Sequence, residues 1–417
     1  MKKTRLLSLL LVIALCFGGC SSAVRDNRSG SAGHSSEAVS YAPAADTQQN
    51  SLPEPPSQPQ LSPEEQEKQR IDKAVRELMS SMTLREKVCQ MFIVEPEQLA
   101  DSGLVTEAGE KMKEALRENP VGGVILFASN IKNTEQVTKL AEDLQAFSKT
   151  KLFISTDEEG GIVARVGNNR KMGTTKFKPM GKTKSADEAY NVGFTIGSEL
   201  SEFGFNLDFA PVADVNSNPK NPVIGTRAFS RDAETAAEYV AACVNGFCDS
   251  GMLCTLKHFP GHGDTSTDSH YGAAKTKKTL EQLEQCELLP FEAGIEAGAD
   301  FVMAGHITAP ELTDEKVPAT LSHDIITGIL RDKMGFDGIV ITDSMQMQAI
   351  TDYFSPGEAA EAAVNAGADI ILMPEDLDKA VNGLVEAVEK GDIDEQRINE
   401  SVGRILRVKL KQGIIEP

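Results

Sequence analysis

The segment "KHFPGHGDTSTDSHYG" (257–272) gathers three of the chain's six histidines, two aspartates and four Ser/Thr hydroxyls. Its three glycines and one proline exclude a regular helix, so the segment is a loop presenting polar side chains. Loops of this makeup bind, catalyse or hold metal. Asp268 and His270 stand two apart in "DSH". They can meet through the turn or face one side of an extended chain. A carboxylate beside an imidazole raises its pKa and fixes its tautomer, which suits it to proton transfer near neutral pH. The bland reading of the same pair is a solvated surface loop. His258, His262 and His270 could instead ligate zinc, but Pro260 and Gly261 inside "HFPGH" remove the helical i, i+4 geometry, and no Glu intervenes. Neither a metal nor another cofactor is expected.

Two further carboxylates stand out. Asp343 closes the apolar run of "GFDGIVITDSM", where it either caps the next helix or does chemistry. Asp157 lies in "STDEEGGIVARV", followed by two glycines and Arg165. The glycines allow a tight turn that brings backbone near a ligand, and Asp157 can accept paired hydrogen bonds from vicinal hydroxyls. This stretch contains no phosphate-cradling GxGxxG or GxxxxGK[ST] pattern.

These residues have to be positioned by regular elements. Ser62, Pro63 and Glu65 form a helix start with a capping box, and Thr83 with Glu86 repeats the device. Eight short apolar runs then follow: "CQMFIV" (89–94), "GGVILF" (122–127), "LFISTD" (152–157), "FNLDFAP" (205–211), "LCTLKHF" (253–259), "DFVMAGH" (300–306), "GIVITD" (338–343) and "ADIILMP" (368–374). Helical patterns such as "TEQVTKLAEDLQAFSK" and "PGEAAEAAVNAG" separate several of them. Buried strands alternating with helices predict an α/β fold with a parallel sheet, and eight units suggest a single (β/α)8 barrel. A doubly wound open sheet is the competitor. Polar residues end the runs repeatedly, at Asp157, Lys257 with His258, His306 and Asp343. A barrel brings such ends to one rim where sites are built, so the barrel is favoured.

The chain's start differs from its body. "MKKTRLLSLLLVIALCFGGC" has a basic opening, an apolar run of signal-peptide length and small residues before Cys20. The run is too short for a membrane span. "FGGC" followed by "SS" resembles a bacterial lipobox, which implies a leader over 1–19 and a lipid on Cys20; an ordinary secretory signal or an uncleaved anchor is the alternative. Residues 20–61, rich in Ser, Pro and Gln, cannot bury enough surface to fold. A coil of about 40 residues spans on the order of 35 Å, suiting a tether that holds a domain over 62–417 off a membrane. The formal charge is −20, and losing Lys2, Lys3 and Arg5 with the leader would make it −23. Such an acidic body argues against nucleic acid as a partner. Cys89, Cys243, Cys248, Cys254 and Cys286 remain, an odd number without metal-site spacing, and read as mostly buried apolar residues.

From "MTLREKVCQMF" to "SVGRILRVKLKQG" the chain resembles the β-N-acetylhexosaminidase branch of glycoside hydrolase family 3. The motifs fall in family order: "GGVILF", "DEEGGIVAR", "GFNLDFAPVADV", "GTRAFS", "KHFPGHGDTSTDSH", "VMAGHI" and "GFDGIVITDSM". The resemblance implies Asp343 as nucleophile and His270, backed by Asp268, as acid/base. It further implies that Asp157, Arg165, Arg227, Lys257 and His258 bind the terminal sugar. Two departures show: no proline follows "DSH" within "YGAAKTKK", and Glu158 stands where Gln is common.

What the resemblance implies for activity is exo-acting release of terminal β-linked N-acetylglucosamine with retention, from peptidoglycan fragments at the outer face of a bacterial membrane. A carbohydrate substrate, a lipid-anchored membrane contact and a monomer are the expected partners and state. Phosphorolysis, a plain β-glucosidase and a non-catalytic sugar-binding lipoprotein are the alternatives.

Overall fold

The computed structural model describes residues 61–416, apart from 268–271 and 273. The expected leader, Cys20 and nearly all of the expected tether lie outside the described residues, as do Asp268 and His270.

Helix α1 (Pro63–Ser80) starts as its sequence dictates. Ser62 Oγ accepts from the Glu65 N–H at 3.2 Å, and the Glu65 carboxylate accepts from the Ser62 N–H at 2.7 Å. Thr83 and Glu86 make the same reciprocal pair at the start of α2 (Leu84–Gln90).

Eight parallel strands follow: β1 (Phe92–Val94), β2 (Gly123–Ile125), β3 (Phe153–Thr156), β4 (Leu207–Asp208), β5 (Leu253–Phe259), β6 (Phe301–Ala304), β7 (Ile339–Thr342) and β8 (Ile371–Leu372). Each pairs with its neighbour in chain order, and β8 returns to β1 through Phe92↔Ile371 and Ile93↔Leu372. The remaining seam, β7 to β8, is held by an isolated bridge between Ile341 and Ile370 and by Thr342 N–H donating to Ile370 O at 3.0 Å. The sheet therefore closes on itself, as strand count and rim convergence predict, and the open-sheet alternative is excluded.

Helices cover the outside, joining consecutive strands: α3 (Glu110–Glu118), α4 (Thr134–Phe147), α5 (Ala186–Ser201), α6 (Ala233–Ser250), α7 (Leu289–Glu296), a π-helical segment Asp324–Lys333, and α8 (Pro356–Ala366). After β8 come α9 (Leu377–Lys390) and α10 (Glu395–Lys411). Every residue of the eight strands is buried, which is why their runs are continuously apolar rather than alternating. Asp369, fully buried before β8, accepts from the Val340 N–H at 3.0 Å and pairs with Arg331 and Arg404. Those bonds tie the seam to the helical layer.

One buried amine lies beneath the start of β3. Lys409, near the end of α10, has no exposed surface; its Nζ lies 3.0 Å from Gln90 Oε1 and 4.9 Å from the centre of the Phe153 ring. Burial pulls its amine down to about 7. Between about pH 7 and pH 10 the unfolded chain holds this proton and the folded chain does not, so stability rises with pH across that window. Urea denaturation at pH 7 and pH 9 should show a gain in the wild type that exceeds the gain in Lys409→Met by about 1–2 kcal/mol. Equal changes in the two proteins would show that the amine stays charged in the fold.

Candidate functional site

Six of the residues singled out by sequence converge. Asp157, Arg165, Arg227, Lys257, His258 and Asp343 line one cavity of about 330 Å³ at the carboxyl ends of the strands. A larger groove of about 1000 Å³ runs between α1 and α10, near Asp337. It takes charged side chains of both signs but none of the strand ends.

Asp157 follows β3, and the chain then folds back as a small hairpin pairing Glu158–Gly160 with Val163–Ala164. Its turn needs both glycines. Gly160 and Gly161 have φ of 80° and 64°, and a Cβ on Gly161 would sit 2.7 Å from Pro179 Cγ. Glu158 lashes the hairpin's return to its start: its carboxylate accepts from Val166 N–H at 2.7 Å and Gly167 N–H at 3.0 Å, and its own N–H donates to Asp208 Oδ1 at 2.8 Å. A glutamine would offer one acceptor oxygen where this chain uses two, which gives the Glu158 departure a structural purpose. Burial pushes the Glu158 carboxyl up, against the backbone N–H groups of Val166 and Gly167. The lash holds Arg165 so that its Nη2 lies 3.3 Å from Asp157 Oδ2 and its guanidinium sits 5.4 Å from the centre of the Phe127 ring.

Lys257 and His258 are consecutive on β5, so simple alternation would send them to opposite faces. Both reach the cavity because the β5–β6 ladder slips by one residue between Lys257 and Phe259, a bulge that re-aims the side chains.

A buried ion network results. Lys257 Nζ lies 2.8 Å from Asp157 Oδ1 and 2.7 Å from Glu159 Oε1. Arg227, from the turn Gly225–Arg227, grips Glu159 with both edges of its guanidinium, Nε to Oε2 at 2.8 Å and Nη2 to Oε1 at 2.7 Å. Burial works against the charge on Glu159, Arg227 and Lys257. For Glu159 it is outweighed by Lys257 and Arg227 together, which hold the carboxyl well below the usual range. Lys257 is likewise driven up by Asp157 and Glu159 despite its burial.

His258 is oriented from behind. Asp214, fully buried, has Oδ2 2.8 Å from His258 Nδ1 and takes the His262 N–H on its other oxygen. Arg227 Nη2 stands 3.5 Å from His258 Nε2, and a guanidinium can only donate, so the ring proton belongs on Nδ1, donated to Asp214. His262 Nδ1 pairs with Thr265 Oγ1 at 2.7 Å, and burial, with His258 nearby, lowers its pKa. Among the described residues no group of three or more His, Cys, Asp or Glu side chains could hold a metal ion.

Asp343 follows β7. Its N–H donates to Ala304 O at 2.9 Å and its Oδ1 accepts from the Ser344 N–H at 2.8 Å. It caps no helix: the short turn of helix Gln348–Thr351 begins after Met347, and α8 is capped by Ser355. That removes the bland reading of Asp343. His306 braces the segment behind it, donating from Nε2 to Ser344 O at 2.9 Å, with Nδ1 2.8 Å from Thr320 Oγ1.

Glu159 and Asp214 were not singled out from the sequence. The first was masked by its acidic neighbours in "DEEGG"; the signal for the second was a lone carboxylate inside the apolar "FAPVADV".

The model of the "Glycosyl hydrolase family 3 N terminal domain" matches residues 83–408. A "Beta-hexosaminidase A" of Pseudoalteromonas piscicida is 36% identical over 335 residues, 74% of this chain and 56% of the relative. A "Beta-hexosaminidase" of Tolumonas auensis is 35% identical over 272 residues, 64% of this chain and 79% of that protein. Among solved structures, a glycoside hydrolase family 3 β-N-acetylglucosaminidase from Paenibacillus sp. superposes with a TM-score of 0.75 at 39% identity, covering 81% of this chain and 64% of that one. The chain thus spans little more than half of the Pseudoalteromonas relative and under two thirds of the Paenibacillus chain.

Removing one member of a buried ion cluster leaves its partners unmatched. Glu159→Gln should cost about 3 kcal/mol at pH 7 by denaturant titration, with Lys257 and Arg227 left in excess. The carboxylate's contribution exists above its unfolded pKa of about 4.3 and fades as pH falls toward the depressed folded value, so the deficit of the variant should shrink below about pH 4. A deficit that stays constant with pH would mean the carboxylate's charge contributes nothing.

Proposed function

The chain belongs to glycosyl hydrolase family 3, and from that premise we propose that it is an exo-acting, retaining β-N-acetylglucosaminidase. The observation that carries this reading is the placement of Asp343: a carboxylate at the end of β7, capping nothing, on the wall of a cavity already furnished with fixed donors and acceptors. At about 330 Å³ that cavity lies at the small end of ligand sites, which suits one terminal sugar rather than several. The relatives' names point the same way.

In this proposal Asp157, Arg165, Lys257 and His258 bind the hydroxyls of the terminal sugar, and Arg227 holds the cup in shape through Glu159. Pairing among themselves keeps these charges in place before substrate arrives, so little reorganisation is left to pay. Asp343 attacks the anomeric carbon while protonated His270 gives its proton to the departing glycosidic oxygen, leaving a glycosyl ester on Asp343. His270 then takes a proton from water as the water attacks the same carbon, and the two inversions sum to retention. Asp268 orients the imidazole and stabilises its charged form. Peptidoglycan fragments as natural substrate, and a lipid on Cys20 at the outer face of the membrane, are parts of the proposal that rest on the leader and motif readings alone.

The test is sugar release in phosphate-free buffer. The enzyme should hydrolyse nitrophenyl β-N-acetylglucosaminide well ahead of the β-glucoside, with Asp343→Asn inactive. His270→Ala should lose roughly 10²–10⁴-fold on chitobiose but far less on the nitrophenyl glycoside, whose leaving group needs little protonation. Equal losses on both substrates would remove His270 from the acid role, and turnover only on adding phosphate would make the protein a phosphorylase.

A further inference from the structure

The segment that carries Asp268 and His270 leaves β5 after Phe259 and returns through Ala274–Lys275, and one buried carboxylate meets both of its stems. Glu287, two residues before α7, has no exposed surface. On one side it touches the outgoing stem: Gly261 has φ 129°, and a Cβ there would lie 2.7 Å from both Cβ and Cγ of Glu287. On the other, Glu287 Oε1 accepts from Lys278 of the returning stem, and Ser217 Oγ donates to the same oxygen at 2.9 Å. Among the described residues Lys278 is the one cation paired with it, and Glu287 Oε2 has no hydrogen-bond partner. The stems are also joined directly. Asp264 Oδ2 accepts from Thr276 Oγ1 at 3.1 Å, Asp264 Oδ1 lies 4.0 Å from Lys278 Nζ, and Thr276 Oγ1 accepts from the Lys278 N–H at 3.3 Å. Only eleven residues, 265–275, lie between the joined positions. Asn221 pins the outgoing stem further, its Nδ2 donating to His262 O at 2.8 Å and Thr265 O at 3.0 Å, while the returning stem pairs with Ile307 and Thr308.

We propose that Lys278 and Glu287, with Asp264 and Thr276, form a clasp whose task is to position the acid/base loop for proton transfer, an inference that rests on the role of His270 given above. A buried ion pair contributes little net stability compared with apolar packing, so what this one adds is a fixed separation between the two stems. A short span with fixed ends has few ways to present the residues it carries. That precision matters, because a displacement of about 1 Å in a catalytic group can cost on the order of 10²-fold in rate. None of the four side chains lines the cavity that holds Asp343 and the sugar-binding residues. Loss of the clasp therefore spares attack on the anomeric carbon and weakens the proton transfer that accompanies it. The four are positioning residues that act through His270.

Values of kcat/KM for the full chain, which report the step that forms the glycosyl-enzyme, test this with two leaving groups. Lys278→Met should lose roughly tenfold or more on chitobiose, yet stay within about twofold of wild type on nitrophenyl β-N-acetylglucosaminide, whose leaving group needs little protonation. In a His270→Ala background the same substitution should add less than about twofold on chitobiose, because the two changes remove one function. Thr276→Val, which leaves no buried charge unmatched, should show the same split between substrates and serves where Lys278→Met folds poorly. Equal losses on the two glycosides, a full additional loss in the His270→Ala background, or wild-type kcat/KM on chitobiose in both clasp variants would each overturn the clasp. A His270→Ala protein that keeps full activity on chitobiose would overturn the acid/base reading itself, and the clasp with it.

Discussion

Lys257 carries a positive charge to a point where 2% of its side chain meets solvent, and the site is organised around matching it. An unpaired ammonium at that depth would lose its proton or unfold its surroundings. Asp157 and Glu159 prevent this from the segment after β3, and Glu159 in turn requires Arg227 from a distant turn. One charge on β5 thus fixes the conformation of two loops that share no backbone ladder with it. Such networks contribute little net stability compared with apolar packing. Their value here lies in geometry, because a set of donors and acceptors that satisfy one another holds its shape without a ligand.

That constraint explains why the surrounding loops look as they do. The hairpin after β3 must present Asp157 and Glu159 within reach of one amine, so it turns at two glycines and is lashed by Glu158. Consecutive residues Lys257 and His258 must both face the cavity, so the ladder slips beside them. His258 then needs a partner behind the ring, and Asp214 supplies it from full burial. Each local irregularity departs from ideal barrel geometry at the carboxyl rim, where the fold tolerates variation, while the strands beneath remain regular and apolar.

Much of this was legible in the sequence, for reasons that also mark where it stopped. Continuously apolar runs identified all eight strands because a barrel strand is buried on both faces, although the runs overstate β4 and β8, which pair over only two residues each. Capping boxes at Ser62 and Thr83 were readable because they depend on neighbours three residues apart. The rim residues were readable because a polar side chain ending an apolar run is conspicuous. What could not be read depends on contacts distant in the chain: that Glu159 rather than Asp157 takes Arg227, that Asp214 stands behind His258, and that a bulge lies between Lys257 and Phe259. The helix-cap reading of Asp343 also stayed open until Met347 and Ser355 were seen to begin the helices that follow it.

The central claim is that Asp343 becomes covalently bonded to the sugar. The most direct measurement is mass spectrometry of the protein after exposure to a 5-fluoro N-acetylglucosaminyl fluoride, whose ring fluorine slows release of the glycosyl-enzyme. The account predicts one added glycosyl unit, mapped to the peptide containing Asp343, that disappears as activity returns. Turnover of the fluoride with no adduct, or an adduct on another residue, would contradict it.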